Sequence, residues 1–286
     1  MRVLVTGALG QVGRELLEAF PAANGSTEVI GVDLADFDIG DRDEVLAAVI
    51  SAAPDVVVNT AAWTAVDAAE SEPDGAWRSN ALAVRHLAEA SDSVGAHLVH
   101  ISTDYVFDGT KGSPYVEWDE PNPASVYGAS KLGGEREAAQ ARSFTIARTS
   151  WVCSRHGANM VKTIMRVARE QPQLSFVNDQ FGHPTFADDL ARMVVRLATE
   201  RRPGLFHVTN AGATSWFGFA QAVLEAMGED PDRVLPITTA DLQPPRPAPR
   251  PAFSVLDNMA LRLSGIEPLP DYHEPLRRTV AWLEAQ

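Results

Sequence analysis

Along the first 150 residues, short runs of apolar, often β-branched residues alternate with longer stretches whose apolar positions recur every three or four residues. The runs cover residues 3–6, 29–32, 56–59, 97–102 and 144–148. The stretches cover 12–20, 42–51, 77–93 and 127–141. A run that is apolar at nearly every position suits a strand covered on both faces, whereas helical spacing suits one buried stripe. Their alternation predicts an α/β protein, a Rossmann-type doubly wound parallel sheet with crossover helices on both faces. The second half is less regular. Helices are expected over 159–170, 186–199 and 216–227. Prolines at Pro236, Pro244, Pro245, Pro247, Pro249 and Pro251 then exclude a helix or a central strand. That segment is either a connecting loop or a loop lining a ligand cleft. The pattern divides the chain into a sheet-forming unit, 1–150, with a later segment near 185–210 returning to it, and a smaller C-terminal region, 151–286.

Composition narrows the function classes. The chain has 286 residues, enough for one large domain or two smaller ones; 45% are apolar and 22% charged, which excludes disorder. The net charge is −14 with no run of Lys or Arg, so no nucleic-acid partner is expected. No apolar run reaches the ~20 residues of a membrane span, so no membrane partner is expected either. The one cysteine, Cys153, has no mate for a disulfide and reads as a packed core thiol. With residues 1–5 entering a strand directly and no signal-peptide pattern, the expected location is the cytoplasm.

After the first strand comes Gly7-Ala8-Leu9-Gly10-Gln11-Val12-Gly13, opening an amphipathic helix. Glycines there allow a tight strand-to-helix turn and a close approach of backbone to a pyrophosphate, which the helix N-terminus favours. Asp33 ends the second run, where a carboxylate would bond the adenosine ribose hydroxyls. Together these predict a dinucleotide site and make residues 1–150 an NAD(P)-binding unit. Asp33 favours NADH by repelling a 2′-phosphate; nearby Arg14 leaves NADPH open.

Tyr127 and Lys131 lie four apart in a helical stretch and share one face. An ammonium beside a phenol favours the phenolate, so a lowered Tyr127 pKa and general-acid chemistry are expected. Thr103 ends the fourth run, on the side of a parallel sheet where ligands bind. It is placed to bond a substrate carbonyl or, more plainly, to cap its own backbone.

These segments resemble the extended short-chain dehydrogenases/reductases. The resemblance is carried by 7–13, Asn59-Thr60-Ala61-Ala62-Trp63-Thr64-Ala65-Val66-Asp67, STDYVFDG at 102–109, YGASK at 127–131, Arg148-Thr149-Ser150-Trp151, DQFGHPT at 179–185 and the stretch from Arg250 to Leu256. STDYVFDG followed by YGASK is specific to the reductase-like branch. The resemblance implies reduction of the C4 ketone of a dTDP-linked sugar, dTDP-4-dehydro-L-rhamnose, with NADPH or NADH. It implies a catalytic set of Thr103, Tyr127 and Lys131. Tyr127 and Lys131 would also bond the cofactor, lined by Gly7, Gly10, Gln11, Val12, Gly13, Asp33, Asp38, Ile39, Ala62, Trp63 and Thr64. Thr103, Asp104, Trp151 and, through the diphosphate, Arg250 would bind the sugar nucleotide. The chain departs from the pattern at Trp63, Cys153 and His183.

Two alternatives have the same fold. A dehydratase tends to carry Asp-Glu after the threonine, but here Asp104 is followed by Tyr105; an epimerase would recycle its cofactor. A different class is a non-catalytic regulatory subunit like that of methionine adenosyltransferase, against which the complete Thr103, Tyr127 and Lys131 set argues. Monomer and homodimer both stay open. Some members hold Mg²⁺ at a dimer interface through glutamates; Glu15 is a candidate for such a ligand but reads more plainly as a surface helix charge, and no metal site is assigned.

Overall fold

The computed structural model describes residues 1–23 and 25–286. The first half runs β1 (Arg2–Thr6), α1 (Gln11–Ala23), β2 (Glu28–Val32), α2 (Arg42–Ala52), β3 (Val56–Asn59), α3 (Val66–Ser71), α4 (Pro73–Trp77), a π-helical turn (Arg78–Leu82), α5 (Ala83–Val94), β4 (His97–Thr103), a 3-10 turn (Asp104–Val106), α6 (Val126–Ala138) and β5 (Phe144–Thr149). The second half runs β6 (Val152–Cys153), α7 (Met160–Glu170), β7 (Leu174–Val177), β8 (Phe181–Gly182), β9 (Thr185–Phe186), α8 (Ala187–Thr199), β10 (Gly204–His207), β11 (Thr214–Ser215), α9 (Trp216–Ala226), β12 (Val234–Ile237), α10 (Met259–Leu263) and α11 (His273–Glu284).

Six strands form one parallel sheet in the order β10-β5-β4-β3-β1-β2. Both faces are covered, as the apolar runs require. Val3, Val5, Val58 and Val99 pack on one side with Leu16, Leu190 and Val194 from α1 and α8. Leu4, Val57, Leu98 and Ile146 pack on the other with Val49 and Leu87 from α2 and α5. Neighbouring residues of one strand thus serve opposite cores. A third core lies outside the sheet, where Ile164, Leu174, Phe186, Phe219, Leu224 and Leu276 meet. β10 pairs with β5 although more than fifty residues separate them.

The single helix expected over 77–93 is broken. The π turn at Arg78–Leu82 sits between α4 and α5 and accommodates an extra residue per turn. That rotates Asn80 inward, where its amide grips the backbone of Trp63 (2.8 and 3.1 Å) and the hydroxyl of Ser130 (3.0 Å). Of the prolines, Pro236 lies in β12, a strand of a two-stranded sheet with β7, where no central-strand donor is needed. The rest of the segment is largely irregular, and none of the prolines lines the main cleft.

Candidate active site

Strand order reverses direction at β1, so a crevice opens beyond the carboxyl ends of β1 and β3. A cleft of about 900 Å³ occupies that crevice and extends across the ends of β4 and β5. Its lining includes Gly7, Gly10, Gln11, Val12, Asp33, Asp38, Ile39, Ala62, Trp63, Thr64, Thr103, Asp104, Tyr127, Lys131 and Trp151. Of the residues expected at the site, Gly13 and Arg250 stand outside that lining.

Gly13 has a supporting place. A Cβ there would lie 2.2 Å from the Gly7 carbonyl, so only glycine lets α1 start this close to the loop; Gly7 itself has φ +71°. Asp33 closes the other side. Its carboxylate accepts from the amides of Leu9 and Leu34, both at 2.9 Å. Arg14 lies against the same loop, its Nε donating to the Leu9 carbonyl at 3.0 Å. Asp38 holds Arg78 at 2.8 Å; the amide of Gly40 and this guanidinium lower its pKa against a smaller cost of burial. A glycine loop where side chains cannot fit, facing an acidic strand end, fits the adenosine diphosphate part of a nicotinamide dinucleotide.

The hydroxyl of Ser125 caps α6 by accepting from the Gly128 amide at 3.1 Å. Tyr127 therefore falls in the first turn and Lys131 one turn later, on the cleft side. A Cβ on Gly128 would lie 2.2 Å from the Tyr105 carbonyl, so α6 is seated directly on the 3-10 turn that carries Asp104. Thr103 does the plainer of the two things foreseen for it. Its hydroxyl accepts from the Tyr105 amide at 3.3 Å and donates to Asp104 at 3.1 Å.

The expected lowering of the Tyr127 pKa is not what the fold produces. Burial pushes the phenol upward, and the nearby Thr103 hydroxyl only partly opposes it. Lys131 is turned away toward the sheet, its Nζ donating to the Ile101 carbonyl at 2.6 Å. Burial brings its own pKa down to about 8, against the pull of Glu135. Tyr127 is thus a firmly protonated acid.

Behind these residues lie groups that sequence reasoning missed. Glu135, one turn past Lys131, accepts from Ser102 (2.5 Å) and from both Nε and Nη2 of Arg148 (2.8 and 2.7 Å). Asp104 is 1% exposed and is bonded by the hydroxyls of Thr103 (3.1 Å), Ser150 (3.1 Å) and Ser254 (2.5 Å). Burial raises its pKa to about 6 despite these donors. Trp151, at φ +43°, is stacked on Trp216 with centroids 3.6 Å apart. Trp216 shares the cleft wall, and no motif marked it. Arg250 is held by Asp67 at 2.5 and 2.9 Å.

Glu15 is not a surface charge. It is 4% exposed, and its two oxygens are taken by Arg155 at 3.1 Å each. A guanidinium already neutralises this carboxylate, so it does not fit a Mg²⁺ ligand, and among the described residues no cluster of His, Cys, Asp or Glu is arranged to hold a metal. Cys153 is buried, and its thiol is pushed up to about 12 by that burial, as a core thiol should be.

Comparison with known proteins agrees with this geometry. The family model described as RmlD substrate binding domain matches residues 1–284. A dTDP-4-dehydrorhamnose reductase of Burkholderia thailandensis is 45% identical, with 95% of each chain covered. The spore coat polysaccharide biosynthesis protein SpsK of Bacillus subtilis is 41% identical, with 93% of each covered. Among solved structures, a dTDP-4-dehydrorhamnose reductase of Bacillus anthracis in complex with NADP superposes with a TM-score of 0.93 at 38% identity, covering 97% of this chain and 98% of that one.

Proposed function

The chain belongs to the RmlD substrate binding domain family, and on that premise we propose that it reduces the C4 ketone of dTDP-4-dehydro-L-rhamnose to give dTDP-L-rhamnose, using NADPH or NADH. The observation that carries this reading is the gathering of Thr103, Tyr127 and Lys131 in one cleft with the glycine loop. When bound, the reduced nicotinamide supplies the hydride for C4. Thr103 orients the ketone oxygen. Tyr127 holds its proton until negative charge builds on that oxygen, then donates it. Lys131, charged below about pH 8, stabilises the phenolate left behind. Asp104 and the Trp151–Trp216 stack wall the sugar side. Arg250 serves the substrate only by holding Asp67, unless it exchanges that carboxylate for a diphosphate.

Residues 1–150 with the returning α8–β10 segment act as the cofactor unit in this reading, and the remainder of 151–286 as the substrate side. Either cofactor suits the site: Asp33 favours NADH, while Arg14 beside the same loop offers a 2′-phosphate one cation. Tyr105, not a second carboxylate, follows Asp104, which opposes a dehydratase. Stoichiometric NADH or NADPH oxidation with this ketone separates a reductase from an epimerase or a non-catalytic subunit. Tyr127→Phe should fold normally and lose at least ~100-fold in kcat. A variant that keeps its kcat sinks the proposal.

A further inference from the structure

Beside the glycine loop the helix α1 meets the loop that joins β6 to α7, and one guanidinium sits at that seam. Gln11, Glu15 and Glu18 lie at i, i+4 and i+7 of α1, so they share one face. All three contact the β6–α7 loop. The Gln11 side-chain oxygen accepts from Asn159 Nδ2 at 3.2 Å. Both oxygens of Glu15 accept from Arg155 at 3.1 Å, and Ser154 Oγ donates to one of them at 3.3 Å. Glu18 pairs with the same guanidinium. The loop is also braced from within. Asn159 Nδ2 donates to the Ser154 carbonyl at 2.6 Å, and Lys162 Nζ to the Gly157 carbonyl at 2.9 Å. Gly157 and Ala158 then form part of the wall of the main cleft, and a Cβ on Gly157 would lie 3.1 Å from Gln11 Cγ.

Two carboxylates converging from one helix face repel each other unless a cation answers both. Some extended reductases answer interface glutamates with Mg²⁺, but here a guanidinium has already taken both oxygens of Glu15. We propose that Arg155 takes the part of a divalent cation and positions the 154–158 loop beside the glycine loop for nicotinamide dinucleotide binding. The inference rests on the nicotinamide-reductase reading above. Arg155 is not among the residues lining the main cleft; it acts through the loop it anchors. A cation carried by the chain does two things at once. It balances Glu15 and Glu18, and it fixes the backbone that bears Gly157 and Ala158. The dinucleotide therefore meets an assembled wall without added metal.

Equilibrium binding of NADPH, followed by its fluorescence, tests this. Wild-type affinity should be the same in EDTA and in Mg²⁺. Arg155→Ala should weaken NADPH binding by about tenfold. KM for NADPH should rise to match, while KM for the ketone moves by less than about twofold. A second cavity of about 600 Å³, whose wall includes Glu15, Glu18 and Arg155, gives small solutes access to the gap. Guanidinium ion at millimolar concentration should recover part of the loss in Arg155→Ala and leave the wild type unchanged. Arg155→Lys keeps the charge but not the planar fork and should fall between the two. Should Arg155→Ala fail to fold, Glu18→Ala removes the exposed arm of the clasp and should weaken NADPH binding by about threefold. Wild-type affinity that drops in EDTA overturns the proposal. So does an Arg155→Ala or Glu18→Ala variant with wild-type affinity, or a variant whose KM for the ketone rises as much as its KM for NADPH. Wild-type protein that binds neither NADPH nor NADH overturns the parent reading and the clasp together.

Discussion

Two carboxylates are buried on either side of the Tyr127–Lys131 pair, and their surroundings could hardly differ more. Glu135, behind Lys131, faces the Arg148 guanidinium through two hydrogen bonds and takes a third from Ser102. Asp104, behind Tyr127, has hydroxyls only. Ionising a buried carboxyl is costly unless a cation and hydrogen bonds answer it. Glu135 has that answer in Arg148 and Ser102, next to the site's lysine. Asp104 lacks it, and its pKa is pushed up to about 6. One helix thus separates an ion-paired carboxyl from one that burial has pushed up without a cation to answer it.

The comparison can be broken most forcefully at Arg148. Arg148→Met strands Glu135 without its cation and should cost about 3–5 kcal/mol in urea unfolding, with most of it recovered when Glu135→Gln is added. A loss below about 1 kcal/mol would show that the pair is not locked. Asp104→Asn should act in the opposite direction. The folded pKa of Asp104 lies above its unfolded value, so wild-type stability falls as pH rises from about 4 to about 6. The variant should lack that decline and be more stable at pH 8 by about 1–3 kcal/mol, with no gain below pH 4. Ser254→Ala removes one donor to ionised Asp104. It should cost about 1 kcal/mol at pH 8 and less at pH 5, measured in the same way. The smallest effect is on Lys131, whose charge Glu135 supports. The decline of kcat/KM above about pH 8 should move down by less than about one pH unit in Glu135→Gln, because the lysine then loses its proton earlier.

The five strands of the first half were legible as apolar runs, most plainly at residues 56–59, where the strand is covered on both faces. The cleft residues were legible where chemistry demands a residue type at a fixed spacing, as with Gly7 to Gly13 or Tyr127 and Lys131. Glu135 was not, since a glutamate on a helix looks the same in sequence whether it meets water or Arg148. Ser150 and Ser254 bond Asp104 from 46 and 150 residues away, and nothing local marks a serine for that task. Asn80 was hidden by the π turn, because helical spacing assumes 3.6 residues per turn throughout. The error on Tyr127 had another origin. Spacing placed Lys131 on the correct face, but could not show that its ammonium reaches back to Ile101.

The pairing of β10 with β5 also governs how the chain can be made and divided. During synthesis the sheet stays unfinished until residue 207 has emerged, after the segments of β6 to α8 have been made. A cut at residue 150 would therefore not release a free-standing cofactor half. It would leave β5, buried along most of its length in the intact protein, as a bare edge ready to pair with another chain. The two halves are better regarded as interleaved parts of one folding unit than as beads that could be separated or exchanged.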